Sequence, residues 1–179
     1  MSSTFAHPAI RSKLSPMMKT SCSIVAALAA LLLSGCGQSN SPDSSAAPGT
    51  PASPRIVEIT ANDTMKYSLT TIEAKPGEEL TVVLTNEGTV AKEIMGHDWI
   101  LLKAGSDVAA FDAAASQAKD TDYVPAALKD EIIAQIGLLG PRKSDQATFT
   151  VPSAPGEYPY LCTFPAHFQA GMHGFLVVK

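Results

Sequence analysis

Cys162, His167 and Met172 follow one another at intervals of five residues in the segment YPYLCTFPAHFQAGMHGFLVVK, residues 158–179. A thiol, an imidazole and a thioether at that spacing, on a loop that runs straight into a closing apolar stretch, reach a common point within a few ångströms. The loop has the chemistry to bend: Pro165 fixes a backbone angle, and Gly171 and Gly174 permit tight turns. Tyr160 and Cys162 fall on one face of the strand that enters the loop, by alternation. A second imidazole is offered far upstream by His97, which follows Gly96 and opens an apolar run. Two histidines, one cysteine and a soft axial methionine are the donors of a blue-copper electron-transfer centre. Thiolate and thioether suit Cu(I), while imidazole suits both oxidation states. A trigonal site with a weak axial donor therefore lets the ion change charge with little rearrangement.

Other chemistries use some of the same residues. A Cys–His pair permits a nucleophilic enzyme, but the loop supplies no acid to orient the histidine, and a methionine would serve no purpose there. Copper storage or delivery is the principal alternative; it favours exposed, exchangeable sites rich in Met and Cys, whereas this set is single and held in a loop. Zinc suits Cys and His as well. Taken singly, a strand cysteine or a methionine reads as core, and it is the joint spacing that singles out Cys162 and Met172. His173 reads as a solvent-facing neighbour. Trp99 reads as core packing pointing away from the metal, and Met65 as core. Met95, Pro165, Ala166 and Phe168 are candidates for an apolar rim around an exposed edge of His167, a surface on which a partner docks without ionic specificity.

The elements that must position these donors read as strands. Arg55–Thr60, Met65–Thr70, Leu80–Thr85, Asp98–Leu102, Ile132–Leu139, Ala147–Val151, Glu157–Cys162 and Phe175–Val178 are short apolar or alternating runs. They are separated by turn signals such as Lys75-Pro76-Gly77-Glu78, Asn86-Glu87-Gly88, Lys103-Ala104-Gly105 and Gly140-Pro141. About eight such strands predict an all-β Greek-key sandwich. Residues 106–119 break the pattern: Ser106 or Asp107 can cap a helix that places Val108, Phe111 and Ala115 on one face. With a further turn over Pro125–Asp130, this makes a helical insertion around 106–130.

The 179 residues carry 13 basic and 17 acidic side chains. Arg11, Lys13 and Lys19 precede residue 36 and no acid does, so the body is clearly acidic, which argues against a nucleic-acid binder. Residues 24–33, IVAALAALLL, form an apolar run about half the length of a membrane-spanning helix. Lys19 precedes the run and Leu33-Ser34-Gly35-Cys36 follows it. This reads as a secretory signal over 1–35, starting at Met17 or Met18, and its ending resembles a bacterial lipobox that would make Cys36 the lipidated first mature residue. Cys22 lies within the discarded signal. Residues 37–54 are almost wholly Gly, Ser, Ala and Pro with a few polar residues, a composition that predicts a disordered tether of up to about 60 Å. The expected layout is signal peptide 1–35, lipidated linker 36–54 and globular domain 55–179, on the periplasmic side of a bacterial membrane. Redox proteins such as c-type cytochromes or membrane oxidoreductases are the expected partners. The domain has one cysteine, so it has no internal disulfide.

The segments MGHDW at 95–99 and CTFPAH at 162–167 resemble the Met-Gly-His-Asn-Trp and Cys-Thr-Phe-Pro-Gly-His segments of azurins. The chain is similar over 55–179 to cupredoxins of the azurin and auracyanin type. Azurins place one residue fewer between the loop histidine and methionine; the spacing here matches auracyanin. The resemblance implies one type 1 copper ion bound by His97, Cys162, His167 and Met172, with the Gly96 carbonyl as a distant fifth contact. It implies that the backbone N–H of Asp98 donates to the cysteine sulfur and that its side chain braces the ligand loop through Thr163. The N–H of Phe164 is a second donor to the sulfur. Three departures stand out: the disulfide of azurins is missing, Ala166 replaces a glycine, and Asp98 replaces Asn. An ionised, poorly solvated Asp98 favours Cu(II) and lowers the reduction potential.

Overall fold

A computed structural model describes residues 53–179. The expected signal peptide, with Cys22, and Cys36 and most of the expected linker lie outside the described residues. Among the described residues nine strands form two sheets: β1 (Arg55–Asn62), β2 (Lys66–Tyr67), β3 (Thr71–Ala74), β4 (Glu79–Asn86), β5 (His97–Leu102), β6 (Ile132–Leu139), β7 (Ser144–Thr150), β8 (Gly156–Leu161) and β9 (His173–Val178). One sheet has the order β2-β1-β4-β7 and the other β3-β9-β8-β5-β6. β1 and β4 run parallel, as do β3 and β9; the other pairs are antiparallel. The inward faces follow from alternation: Val57, Ile59 and Ala61 of β1 and Leu80, Val82 and Leu84 of β4 meet Trp99, Leu101, Tyr160 and Leu176 from the other sheet. Burying side chains of this size stabilises the fold by about 1.5–3 kcal/mol each. The sandwich expected from the strand pattern is the one observed.

The segment Met65–Thr70 does not form a single strand. It contributes only Lys66 and Tyr67 to β2; Met65 sits in a left-handed turn at φ 57°. The chain then crosses to the second sheet, where Thr71–Ala74 pairs with β9. Its alternation of exposed and buried residues, with Ile72 and Ala74 inward, is too short to stand out in sequence from the turn that follows. The helical insertion is present and shorter than its pattern. α2 spans Val108–Ala115, after a short α1 (Lys92–Met95). Asp107 caps α2 by accepting from the Ala110 N–H at 3.0 Å. Two 3-10 turns, Lys119–Thr121 and Ala126–Glu131, complete it. The insertion has its own small core, in which Phe111 and Val124 pack on Ile100, Leu102 and Leu161 from the outer face of the second sheet. Among the described residues no helix is long and apolar enough to cross a membrane.

Candidate metal centre

Three elements meet at one end of the sandwich. The chain reaches His97 through α1, whose last turn closes on Gly96. A side chain at Gly96 is excluded, because its Cβ would lie 2.7 Å from the Lys92 carbonyl oxygen and 2.9 Å from Leu138 Cγ. β5 then pairs with β6 through a bulge, with His97 opposite Leu139 but Trp99 opposite Ile136. Bulges re-aim side chains, and this one turns the first residue of β5 toward the ligand loop. The β6 end is pinned in turn by Asn86, fully buried, whose amide donates to the Leu139 carbonyl at 3.1 Å.

Cys162 follows β8, and its loop is closed by backbone hydrogen bonds. The Cys162 N–H donates to the Met172 carbonyl and the Met172 N–H to the His167 carbonyl, both at 3.0 Å. Met172 is thereby fixed beside Cys162, and both are fully buried. The His167 N–H donates to Phe164, and the Gly171 N–H to Phe168. Gly171 uses its freedom at φ 94°. Gly174 does not bend the chain. It lies within β9, where a Cβ would strike the Thr70 carbonyl and the Tyr160 ring at about 2.5 Å, so its requirement is close approach rather than a turn. Ala166 adopts φ 72°, a left-handed angle that costs a non-glycine residue about 1–2 kcal/mol.

The inward atoms are His97 Nδ1, Cys162 Sγ and His167 Nδ1. The two nitrogens are 3.2 Å apart, and the sulfur is 3.3 Å from that of His167; all three donors lie within 4.8 Å of one another. Ligands held about 2.0–2.3 Å from one ion in a trigonal or tetrahedral arrangement lie about 3.3–3.8 Å apart, so the two separations that involve His167 stand within about half an ångström of the spacing a shared cation requires. Burial lowers the pKa of both imidazoles, that of His167 to about 4 with His97 as a second cause. Burial raises the Cys162 thiol well above its usual value, while the backbone N–H groups of Asp98 and Phe164 oppose the rise by hydrogen-bonding the sulfur. Neutral imidazoles and a thiol that only a cation would deprotonate suit a soft divalent or monovalent metal. His97 Nε2 is buried without an ordinary hydrogen-bond partner, although the nearby Asn62 backbone tends to raise its pKa.

Asp98 is fully buried beside the loop. The Thr163 N–H donates to its Oδ1 at 2.7 Å and the Thr163 hydroxyl to its Oδ2. Burial raises its pKa to about 6 against these bonds, which leaves it mostly ionised at neutral pH. The Tyr67 hydroxyl donates to the Asp98 carbonyl.

Residues 55–179 match the copper binding proteins, plastocyanin/azurin family. The chain belongs to that family. It is 34% identical over 131 residues to auracyanin-B of Chloroflexus aurantiacus, covering 72% of this chain and 53% of that relative's length. It is 37% identical over 125 residues to azurin-1 of Alcaligenes xylosoxydans xylosoxydans, covering 67% of this chain and 94% of the relative. A solved structure of dithionite-reduced auracyanin from Roseiflexus castenholzii superposes with a TM-score of 0.62 at 38% identity, covering 72% of this chain and 98% of that one.

In this family member the surroundings of the donors depart from the sequence reading in two places. His167 has almost no exposed edge, with 2% of its surface accessible, because the Phe164 ring packs on it at 4.8 Å between centroids. His173 is half-buried, its ring packed on Phe168 at 5.2 Å. Trp99 is fully buried and packs on Tyr160 and Phe149, and Met95, Pro165 and Phe168 are partly exposed beside an exposed Ala166. Sequence reasoning missed α1, Tyr67, Asn86, Lys66 and the pair Asp112–Gln169. Asp112 sits one position from Phe111 on the buried face of α2, and a carboxylate there was the available signal.

Proposed function

We propose that this chain is an exported one-electron carrier and not an enzyme in its own right. The carrying observation is the convergence of three buried donor atoms, both imidazoles presenting Nδ1 beside a cysteine sulfur. Bound copper supplies the chemistry by cycling between Cu(I) and Cu(II). His97, Cys162 and His167 would hold the ion, with the Met172 thioether and the Gly96 carbonyl as weaker ligands. The Asp98 and Phe164 N–H groups stabilise the thiolate, and Thr163 locks Asp98 to the loop. Such outer bonds set potential and rigidity. Burial shields the donors from solvent almost completely, which limits the solvent rearrangement that accompanies a change of charge.

His167 is the port, since it alone of the three donors reaches the surface at all. Partly exposed Met95, Pro165 and Phe168, with exposed Ala166, offer an apolar rim for a redox partner such as a c-type cytochrome or a membrane oxidoreductase. A lipid on Cys36 and the linker to residue 54 would keep the domain at the periplasmic face of a membrane. Storage or delivery is disfavoured by donors exposed to 2% or less, which exchange poorly. Addition of Cu(II) to the metal-free protein should give intense blue or blue-green absorption from thiolate-to-copper charge transfer, and Cys162→Ser should abolish it. A colourless copper-loaded wild type would overturn the reading.

A further inference from the structure

The four residues between His167 and Met172 are Phe168, Gln169, Ala170 and Gly171, and two of them, Gln169 and Ala170, are hydrogen-bonded to elements that carry no donor. Phe168 packs into the small core of the helical insertion, with Phe111 and Val124. The exposed Gln169 reaches inward so that its amide donates to Asp112 Oδ2 on α2. On the other side, the Lys66 ammonium of β2 donates to the Ala170 carbonyl. The loop is therefore held from both flanks immediately before Met172.

Asp112 is an unusual choice for a merely structural contact. It is 2% exposed, and among the described residues no group hydrogen-bonds to its Oδ1. Burying a carboxylate with one oxygen unpartnered costs stability, and an apolar residue on this face of α2 would pack against Phe111 and Ala115 without that cost. What an apolar residue cannot do is accept a hydrogen bond from the ligand loop.

Building on the copper-carrier reading, we infer that Asp112 is a positioning residue for the metal centre: through the Gln169 amide it ties the helical insertion to the loop and fixes Met172 relative to Cys162 and His167. The insertion, which carries no donor, thereby acts on the centre. The bracing is by hydrogen bond and not by charge, so Asp112→Asn, which keeps an acceptor oxygen, preserves it, while Asp112→Ala and Gln169→Ala remove it.

The test compares these three variants with wild type in full-length protein. In the metal-free state, amide exchange at Gly171 and Met172, both hydrogen-bonded within the loop, should be faster in the two alanine variants and unchanged in Asp112→Asn. After copper loading, the alanine variants should show an altered ratio of the two thiolate charge-transfer bands and about tenfold faster copper loss to a chelator. Asp112→Asn should match wild type in both. Asp112→Asn behaving like Asp112→Ala would overturn the inference in favour of a charge effect, and wild-type exchange and spectra in both alanine variants would overturn it outright. Gln169→Ala keeps the test valid if Asp112→Ala misfolds, because Gln169 is a surface residue. A wild type that fails to turn blue sinks the copper reading, while the amide exchange of the metal-free protein still judges the clamp.

Discussion

The protonation of the donor set in metal-free protein predicts how many protons a metal displaces. Burial depresses the pKa of both imidazoles and raises the thiol. At pH 7.5 the donors thus hold one removable proton, on Cys162, and metal binding releases about one proton. The informative pH is lower. Two ordinary imidazoles with pKa near 6.5 would each carry about 0.9 proton at pH 5.5, so the site would release close to three. With His167 at about 4, that residue carries only about 0.03 proton there. The lowered pKa of His97 reduces its share below 0.9, and total release falls between about one and two. Calorimetric titration with zinc, in buffers of different ionisation enthalpy, counts these protons without oxidising the thiol. A release near three at pH 5.5 would refute the account of a dehydrated, neutral donor set. Cys162→Ser should bring the release at pH 7.5 to about zero, which assigns the remaining proton.

Three further outcomes follow from the surroundings of the donors. Ala166→Gly removes a left-handed alanine at φ 72° and should stabilise the metal-free domain by about 0.5–1 kcal/mol after the entropy of an added glycine; an unchanged urea midpoint counts against strain at the turn. Gly96→Ala places a methyl against the Lys92 carbonyl at 2.7 Å, a backbone atom that cannot give way easily. It should cost about 1–3 kcal/mol and perturb the charge-transfer spectrum by shifting His97, so wild-type stability and spectrum together would defeat the packing argument. Asp98→Asn removes a buried negative charge that stabilises Cu(II) and should raise the reduction potential measured by voltammetry at neutral pH; an unchanged or lower potential would show that Asp98 acts only through its hydrogen bonds.

The donor loop was legible because its information is local. Cys162, His167 and Met172 lie within eleven residues, and His97 was legible because Gly96 and the apolar run after it make a recognisable strand entry. The long strands β4 and β6 were legible for a similar reason, since unbroken apolar or alternating runs between strong turns leave little else to form. β3 was not legible. Four residues that alternate outward and inward acquire meaning only from the parallel neighbour β9, more than 100 positions later. Gly174 shows the same limit: its sequence context suggested a bend, while its actual requirement comes from Thr70 and Tyr160 on other elements. Tyr67, Asn86 and Asp112 act on the site through partners 31, 53 and 57 positions away, and neither period nor spacing encodes such a pairing.

These distant contacts divide the work of the fold. The sandwich core sets β5 and β8 side by side and so fixes where His97 and Cys162 begin. It cannot fix the loop beyond Cys162, which leaves β8 and makes only short-range backbone bonds before β9 resumes at His173. That loop carries the other two donors and includes a left-handed alanine, so its conformation needs support from outside itself. Thr163 on Asp98 secures its start, Phe164 on His167 its middle, and Phe168, Gln169 and Ala170 its end. A site built this way is held in shape before any cation arrives. Copper binding then spends little free energy on ordering the loop, and the same rigidity resists rearrangement when the ion changes charge.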